Sequence, residues 1–414
     1  MTSPQPTPTR PGSAADAALY DAKHAGRGTY RYYTEALTQA AQSRLQLDGR
    51  LRRAAGILLV AAALAACGII HSVDPRGGIY MPGTLHGLPA AISAQFVGAY
   101  LALAALMVLF MLANMLLELP MTVWRTFGLE ARFGFNRTTW PVFLADRAKG
   151  LLLGGLIGIP FLYAVIYLMG IGGAWWWLWV WALWLGFSLL MLWAFPKWIA
   201  PLFNKFEPLP EGRLKAQIED LLARTGFQSK GIFVMDGSKR SGHGNAYFTG
   251  LGANKRIVFY DTLLKDMQPD EVEAVLAHEL GHFKHRHIIK QMALTFALGL
   301  AVLFVLNLLM KSPAFYLGLG VHYPSHAMAL LLFMLVLPVF AFPLSPLLSM
   351  LSRKNEFEAD RFAAETASAQ DLAAALTKLY RSNAASLVAD KWYERFYASH
   401  PGAQARIAAL KKAV

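Results

Sequence analysis

The chain of 414 residues contains a single cysteine, Cys67. One thiol excludes an internal disulfide and any multi-cysteine zinc or iron–sulfur site. Charge is scarce as well: only 16% of the residues are Asp, Glu, Lys or Arg, against roughly 25% in an average soluble domain. Acidic residues are the rarer sign, 26 against 39 basic, which leaves a net charge of +13. No basic-aromatic motif or nucleic-acid-binding module accompanies that charge, so a nucleic-acid partner is not expected. No internal repeat is evident. The composition is instead 55% hydrophobic, with a mean hydropathy of +0.36. A disordered chain lacks that balance, and a soluble one has nowhere to bury so much apolar surface.

The apolar residues come in blocks. Six stretches, near 54–71, 92–117, 150–171, 174–195, 291–310 and 328–351, carry no Lys, Arg, Asp or Glu and approach the ~20 residues that a bilayer-spanning helix needs. Only the Gly-Gly-Ala segment 172–174 divides the third from the fourth, which predicts a tight helical hairpin. None reads as a cleavable signal peptide, because about fifty mostly polar residues precede the first. The basic residues supply an orientation. The segments 72–91, 172–173 and 311–327 hold two of them, Arg76 and Lys311, while the other 37 lie on the N-terminal tail, 118–149, 196–290 and 352–414. The positive-inside rule then places both termini and both large polar regions in the cytosol.

The expected fold is mainly α: a multi-span membrane protein of six spans, or seven if 18–53 or 118–149 hides another, with a cytosolic zincin-like α+β region. Five regions follow. Residues 1–17 form a Pro/Ser/Thr/Ala-rich disordered tail. Residues 18–195 hold four spans, 196–290 a cytosolic catalytic region, 291–351 two further spans, and 352–414 a cytosolic helical region. Within 196–290, helical periodicity covers 211–226, and three short strands are predicted at 231–235, 245–249 and 256–260, separated by turn clusters. The run Trp175, Trp176, Trp177, Trp179 and Trp181 suits an aromatic belt at the membrane interface. Pro338, Pro343 and Pro346 predict a broken helix in the last span.

The most specific motif is His278-Glu279-Leu280-Gly281-His282. Pro269 opens a predicted helix, acidic residues fill its first turn, and Val272, Val275 and Leu276 give it an apolar face. Residues four apart share one helical face, so both imidazoles can bind one zinc ion while Glu279 sits within reach of a water. A catalytic zinc takes three protein ligands. His285 lies seven residues after His278, about 10.5 Å along the axis, too far to share its metal, and His287 lies off that face. The segment 355–363 is the best source of the third ligand, since the last two spans return it to the side that holds His278. Glu356 and Asp360 are one turn apart, so one can bind metal while the other holds an imidazole N–H. A peptide substrate must be held extended, and Asn245-Ala246-Tyr247-Phe248, flanked by Gly242, Gly244 and Gly250, is the candidate sheet edge for that.

These motifs resemble the membrane gluzincins of the CAAX prenyl protease 1 type. The resemblance rests on H-E-x-x-H followed some 75 residues later by E-x-x-x-D, and on the segments 133–139, 241–248, 256–264 and Ser399-His400-Pro401-Gly402 with Arg406. It implies one zinc ion, with Glu356 as third ligand, Asp360 behind the ligands, Glu358 not a ligand, and His400 and Arg406 stabilising the oxyanion and organising the site. The implied activity is peptide-bond hydrolysis on membrane-associated protein substrates at the cytosolic face, by C-terminal C-a-a-X processing of prenylated proteins or by membrane-protein quality control. The Ala- and Leu-rich, short-looped composition points to a bacterial inner membrane over the endoplasmic reticulum, which favours quality control. The alternative is a membrane scaffold or transporter with a structural metal. Against it, structural zinc normally takes four protein ligands, and the spans lack the ionisable residues that transport uses.

Overall fold

A computed structural model describes residues 90–250, 255–322, 324–383 and 391–412. The expected tail 1–17, the polar segment 18–53 and the first expected span, 54–71, lie outside the described residues. Helix α1 (Ala90–Val123) continues through a π-helical stretch, Trp124–Glu130. A turn follows at Gly134, which has φ 75, and Asn136 Oδ1 accepts from Thr138 N at 2.8 Å just before α2 (Trp140–Leu153). Another π-helical stretch, Gly154–Gly158, joins α2 to α3 (Ile159–Ile171). The third span is therefore part of a helix that begins ten residues before its apolar block, at Trp140. Asp146, Arg147 and Lys149 did not break that helix; they mark its polar end, where Asp146 pairs with Arg240 at 2.7 Å.

The hairpin into α4 (Trp176–Ala194) forms as predicted. A Cβ at Gly172 would stand 2.6 Å from the Leu168 carbonyl oxygen, and Gly173 takes φ 56. The tryptophans divide between two environments, which refines the belt expectation. Trp175 and Trp179 are exposed, but Trp176 is buried and donates to Asn307 Oδ1 at 3.0 Å, and Trp181 donates to the Phe296 carbonyl at 2.8 Å. Inside an apolar bundle an indole N–H needs such a partner. Helix α4 runs through a π-helical stretch, Phe195–Ile199, into the short α5 (Ala200–Phe203).

The polar region then folds as β1 (Phe206–Pro208), α6 (Arg213–Thr225), β2 (Ile232–Met235), β3 (Ala246–Thr249), β4 (Arg256–Tyr260), α7 (Asp261–Asp266) and α8 (Pro269–Lys284). The strand order is β1-β2-β4-β3, with β2 and β4 parallel and the other pairs antiparallel. The three predicted strands are present. β1, three residues ending in Pro208, carried no strand signal because proline is confined to sheet edges. Ile218 and Leu221 of α6, Ile257 and Phe259 of β4, and Leu276 and Leu280 of α8 form one buried core.

Helix α9 (His287–Leu309) and the short α10 (Pro313–Leu317) lead to α11 (His326–Ala341). The predicted break follows as a 3-10 turn, Phe342–Leu344, before α12 (Ser345–Thr366). The apolar part of α12 ends at Leu351; from Arg353 onward the helix is charged. The chain closes with α13 (Ala369–Ser382), α14 (Lys391–Tyr397) and α15 (Ala403–Lys412). Five helical segments among the described residues are long and apolar enough to cross a membrane: 107–130, 140–171, 173–203, 287–309 and 326–366. They overlap the second to sixth expected spans. The protein is thus a mainly helical multi-span membrane protein with a polar α+β region; the described residues carry five candidate spans, and the first expected one lies outside them.

Candidate metal centre

Helix α8 is fixed at its start by a capping box: the Gln268 side chain accepts from the Glu271 backbone while Glu271 Oε2 accepts from Gln268 N at 2.8 Å. Two turns and more later, His278 and His282 project from one face. That face meets α12 at Gly281, where a Cβ would stand 2.8 Å from Ala359 Cα. Ala359 lies between Glu356 and Asp360, so the close approach of two backbones carries both carboxylates against both imidazoles.

His278 Nε2 and His282 Nε2 face each other at 3.3 Å. Glu356 reaches both, Oε2 to His278 Nε2 at 3.5 Å and Oε1 to His282 Nε2 at 3.4 Å. One ligand atom from each of the three residues lies within 4.8 Å of the others, a spacing that one metal ion can fill. The fit has a second support. Glu356 Oε2 is buried and makes no hydrogen bond, with only ion-pair contacts to Arg406 Nη1 at 3.4 Å and His278 Nε2 at 3.5 Å, and an anionic oxygen in that state can take a metal cation as a further partner.

Behind this cluster, Asp360 Oδ1 stands 2.9 Å from His278 Nδ1. Arg406, from α15, donates to Asp360 through Nη2 at 2.6 Å and Nε at 2.8 Å and places Nη1 3.4 Å from Glu356 Oε2. His400 Nε2 is 3.4 Å from Glu356 Oε1, although most of that ring is exposed. Burial opposes the charged form of His278, but Asp360 and Glu356 outweigh it and hold its pKa up to about 9. Burial also opposes ionisation of Glu356, yet the His278 and His282 imidazoles hold that carboxyl below the usual range. Glu279 differs: burial pushes its carboxyl upward, against the pull of His278 and His282.

A cleft of about 130 Å³ opens over these groups, lined by Asn245, Ala246, His278, Glu279, Glu356, His400 and Arg406. The structure thus brings eight of the nine other singled-out side chains to the cleft or directly behind it, together with Asp360. Tyr247 is placed elsewhere: its side chain crosses to another crevice beside Phe195 and Arg256, as strand alternation requires. β3 is the last strand in the sheet and pairs on one side only, with β4. Leu372, Leu376 and Leu379 of α13 complete the cleft wall. Apolar residues at helical spacing carry no mark of a binding wall, and none of the three is singled out from the sequence above.

Residues 208–414 match peptidase family M48, and residues 80–205 match the family described as CAAX prenyl protease N-terminal, five membrane helices. The chain is 38% identical over 304 residues to a CAAX prenyl protease 1 homolog of Oryza sativa subsp. japonica, covering 73% of this chain and 72% of that one. With the Homo sapiens CAAX prenyl protease 1 homolog the identity is 34% over 339 residues, covering 72% and 71%. Among solved structures, Ste24p of S. mikatae matches with a TM-score of 0.71 at 31% identity, covering 80% of this chain and 78% of that chain. Similarity of this extent sets aside the scaffold and transporter readings, and with the His/His/Glu cluster it shows that the chain belongs to the CAAX prenyl protease 1 family of M48 membrane zinc metalloendopeptidases.

Proposed function

We propose that one zinc ion held by His278, His282 and Glu356 serves this protein in hydrolysing peptide bonds of membrane-associated substrates from the cytosolic side, with Glu279 as the proton-transfer group. The observation that carries the reading is the meeting of the three ligand atoms within 4.8 Å at a cleft that also contains Glu279. A zinc ion so held would polarise the scissile carbonyl and acidify a water. Glu279 takes the proton of the attacking water and passes it to the leaving amine. Its upward-shifted carboxyl suits both halves of that exchange. Arg406 and His400 stand beside Glu356 and supply positive charge or donors where an oxyanion develops. Asp360 holds His278 by its Nδ1 side.

The substrate lies extended along β3. Asn245 Oδ1 holds the Ala246 N–H at 2.8 Å, and a substrate carbonyl competes for that donor when the peptide adds as a strand. The five-region division of the chain and the cytosolic placement of both termini rest on the alternation of basic segments. Placement in a bacterial inner membrane rests on composition alone; the relatives named above come from Oryza sativa, Homo sapiens and S. mikatae. Their names speak of C-a-a-X processing, so a prenylated C terminus stands beside membrane-protein quality control as the substrate class.

Two measurements test this. Purified protein is expected to hold one zinc per chain, and Glu279→Gln to keep it while losing roughly 10²–10⁴-fold in kcat on a fluorogenic peptide; full activity in that variant overturns the mechanism. Comparing a farnesylated C-a-a-X peptide with its unprenylated twin then separates the substrate classes, equal rates excluding lipid-directed specificity.

A further inference from the structure

The two facing imidazoles are held from behind by different groups. His278 uses Asp360 directly, whereas His282 Nδ1 lies 3.1 Å from His287 Nδ1, and His287 Nε2 lies 3.0 Å from Glu358 Oε2. His287 is buried at the first position of α9. It arrives there through Arg286, whose φ of 56 is the only positive value at a non-glycine among the described residues. A left-handed conformation is strained at a residue that carries a Cβ. The reversal at Arg286 carries His287 back over the last turn of α8 and against His282. Neither His287 nor Glu358 has a part in the site as described above.

We propose that His287 and Glu358 are positioning residues that lock His282 in the tautomer able to bind the metal, a proposal that rests on the metal-site reading above. For neutral imidazoles the direction of the hydrogen bonds is forced. A carboxylate only accepts, so His287 carries its proton on Nε2 and donates to Glu358. Its Nδ1 is then a bare acceptor, and His282 must donate to it from Nδ1. That leaves the lone pair of His282 on Nε2, the atom that faces His278 Nε2 and Glu356 Oε1. The three groups therefore have one self-consistent neutral arrangement, and it is the arrangement a ligating imidazole needs. The same bonds fix the ring plane of His282, which is only half-buried.

The test measures zinc affinity by chelator competition on detergent-solubilised full-length protein, with circular dichroism as a fold control. The parent must bind zinc and His282→Ala must lose it; failure there removes the metal-site reading itself. With that control met, His287→Leu is expected to weaken zinc binding roughly 10–100-fold. His287→Asn, whose amide oxygen can accept from His282 Nδ1, is expected to recover most of the loss. Glu358→Ala weakens binding in the parent but not in the His287→Asn background, where the acceptor no longer depends on Glu358. Glu358→Gln, which still accepts, stays close to the parent. Unchanged zinc affinity in folded His287→Leu overturns the proposal, and so does an equal effect of Glu358→Ala in both backgrounds. If His287→Leu does not fold, the Glu358 pair decides the question alone.

Discussion

At the scale of single residues, the metal centre is a set of buried charges whose balance predicts its chemistry. His278 is held protonated up to about pH 9 by Asp360 and Glu356. Zinc must displace that proton to bind, so apparent zinc affinity is expected to fall about tenfold per pH unit below about 9, as the proton competes more strongly. Zinc titrations at several pH values check this slope, and a flat profile contradicts it. In the proposed mechanism Glu279 acts only when ionised, and its pKa is raised by burial. The acid limb of kcat/KM is therefore expected above the ordinary glutamate range, and Glu279→Asp, a shorter carboxylate, should lower kcat more than it changes zinc content. Arg406 is buried with Asp360 in a bidentate pair. Replacing it by Leu leaves the Asp360 carboxylate with His278 alone, and broken buried pairs of this kind typically cost about 3–5 kcal/mol; denaturant midpoints measure the loss.

At the scale of elements, the decisive contact is the crossing of α8 and α12. Glycine inside a helix ordinarily costs roughly 0.5–1 kcal/mol relative to alanine, so Gly281→Ala should stabilise an isolated α8. Here sterics win, because the new Cβ would meet Ala359 Cα at 2.8 Å, and backbone cannot yield unless the helices separate. Separation moves Glu356 away from His278 and His282. Gly281→Ala is thus expected to lose zinc and activity together, whereas Glu279→Gln keeps zinc; metal analysis of the two purified variants distinguishes the cases. The same logic holds in the membrane, where Gly299 of α9 lies under the Trp184 ring of α4 with no room for a Cβ. Disturbing that packing should lower stability while leaving zinc content unchanged.

At the scale of the molecule, the proposed ligands come from two helices separated in the chain by α9, α10 and α11. In the proposed site one zinc ion would tie the end of the α+β region to the charged end of α12, within the last described span. Binding to the native state alone stabilises it by about 4.1 kcal/mol at a free zinc level of 1,000 Kd. Thermal unfolding in detergent is expected to shift downward on chelation and to recover on adding zinc back. The His282→Ala variant should show no such shift; a shift of parental size in it would mean that zinc stabilises through another site.

The sequence by itself determined the local facts: which blocks are apolar enough to span, where α8 begins, that His278 and His282 share a face, and that three strands precede them. Each is a property of neighbouring residues, of helical period, capping chemistry or alternation. The choice between Glu356 and Asp360 was not of that kind, since both lie one turn apart on one helix. Resemblance pointed to Glu356, and tertiary structure supplies the physical reason: Gly281 against Ala359 sets the register that aims Glu356 at Nε2 and Asp360 at Nδ1. His287 shows the same limit from the other side. Helical projection from His278 placed it off the ligand face, but that helix stops at Lys284, and a left-handed Arg286 opens the next helix and brings His287 back behind His282. Contacts between residues distant in sequence, and one backbone reversal, decided what no periodicity could record.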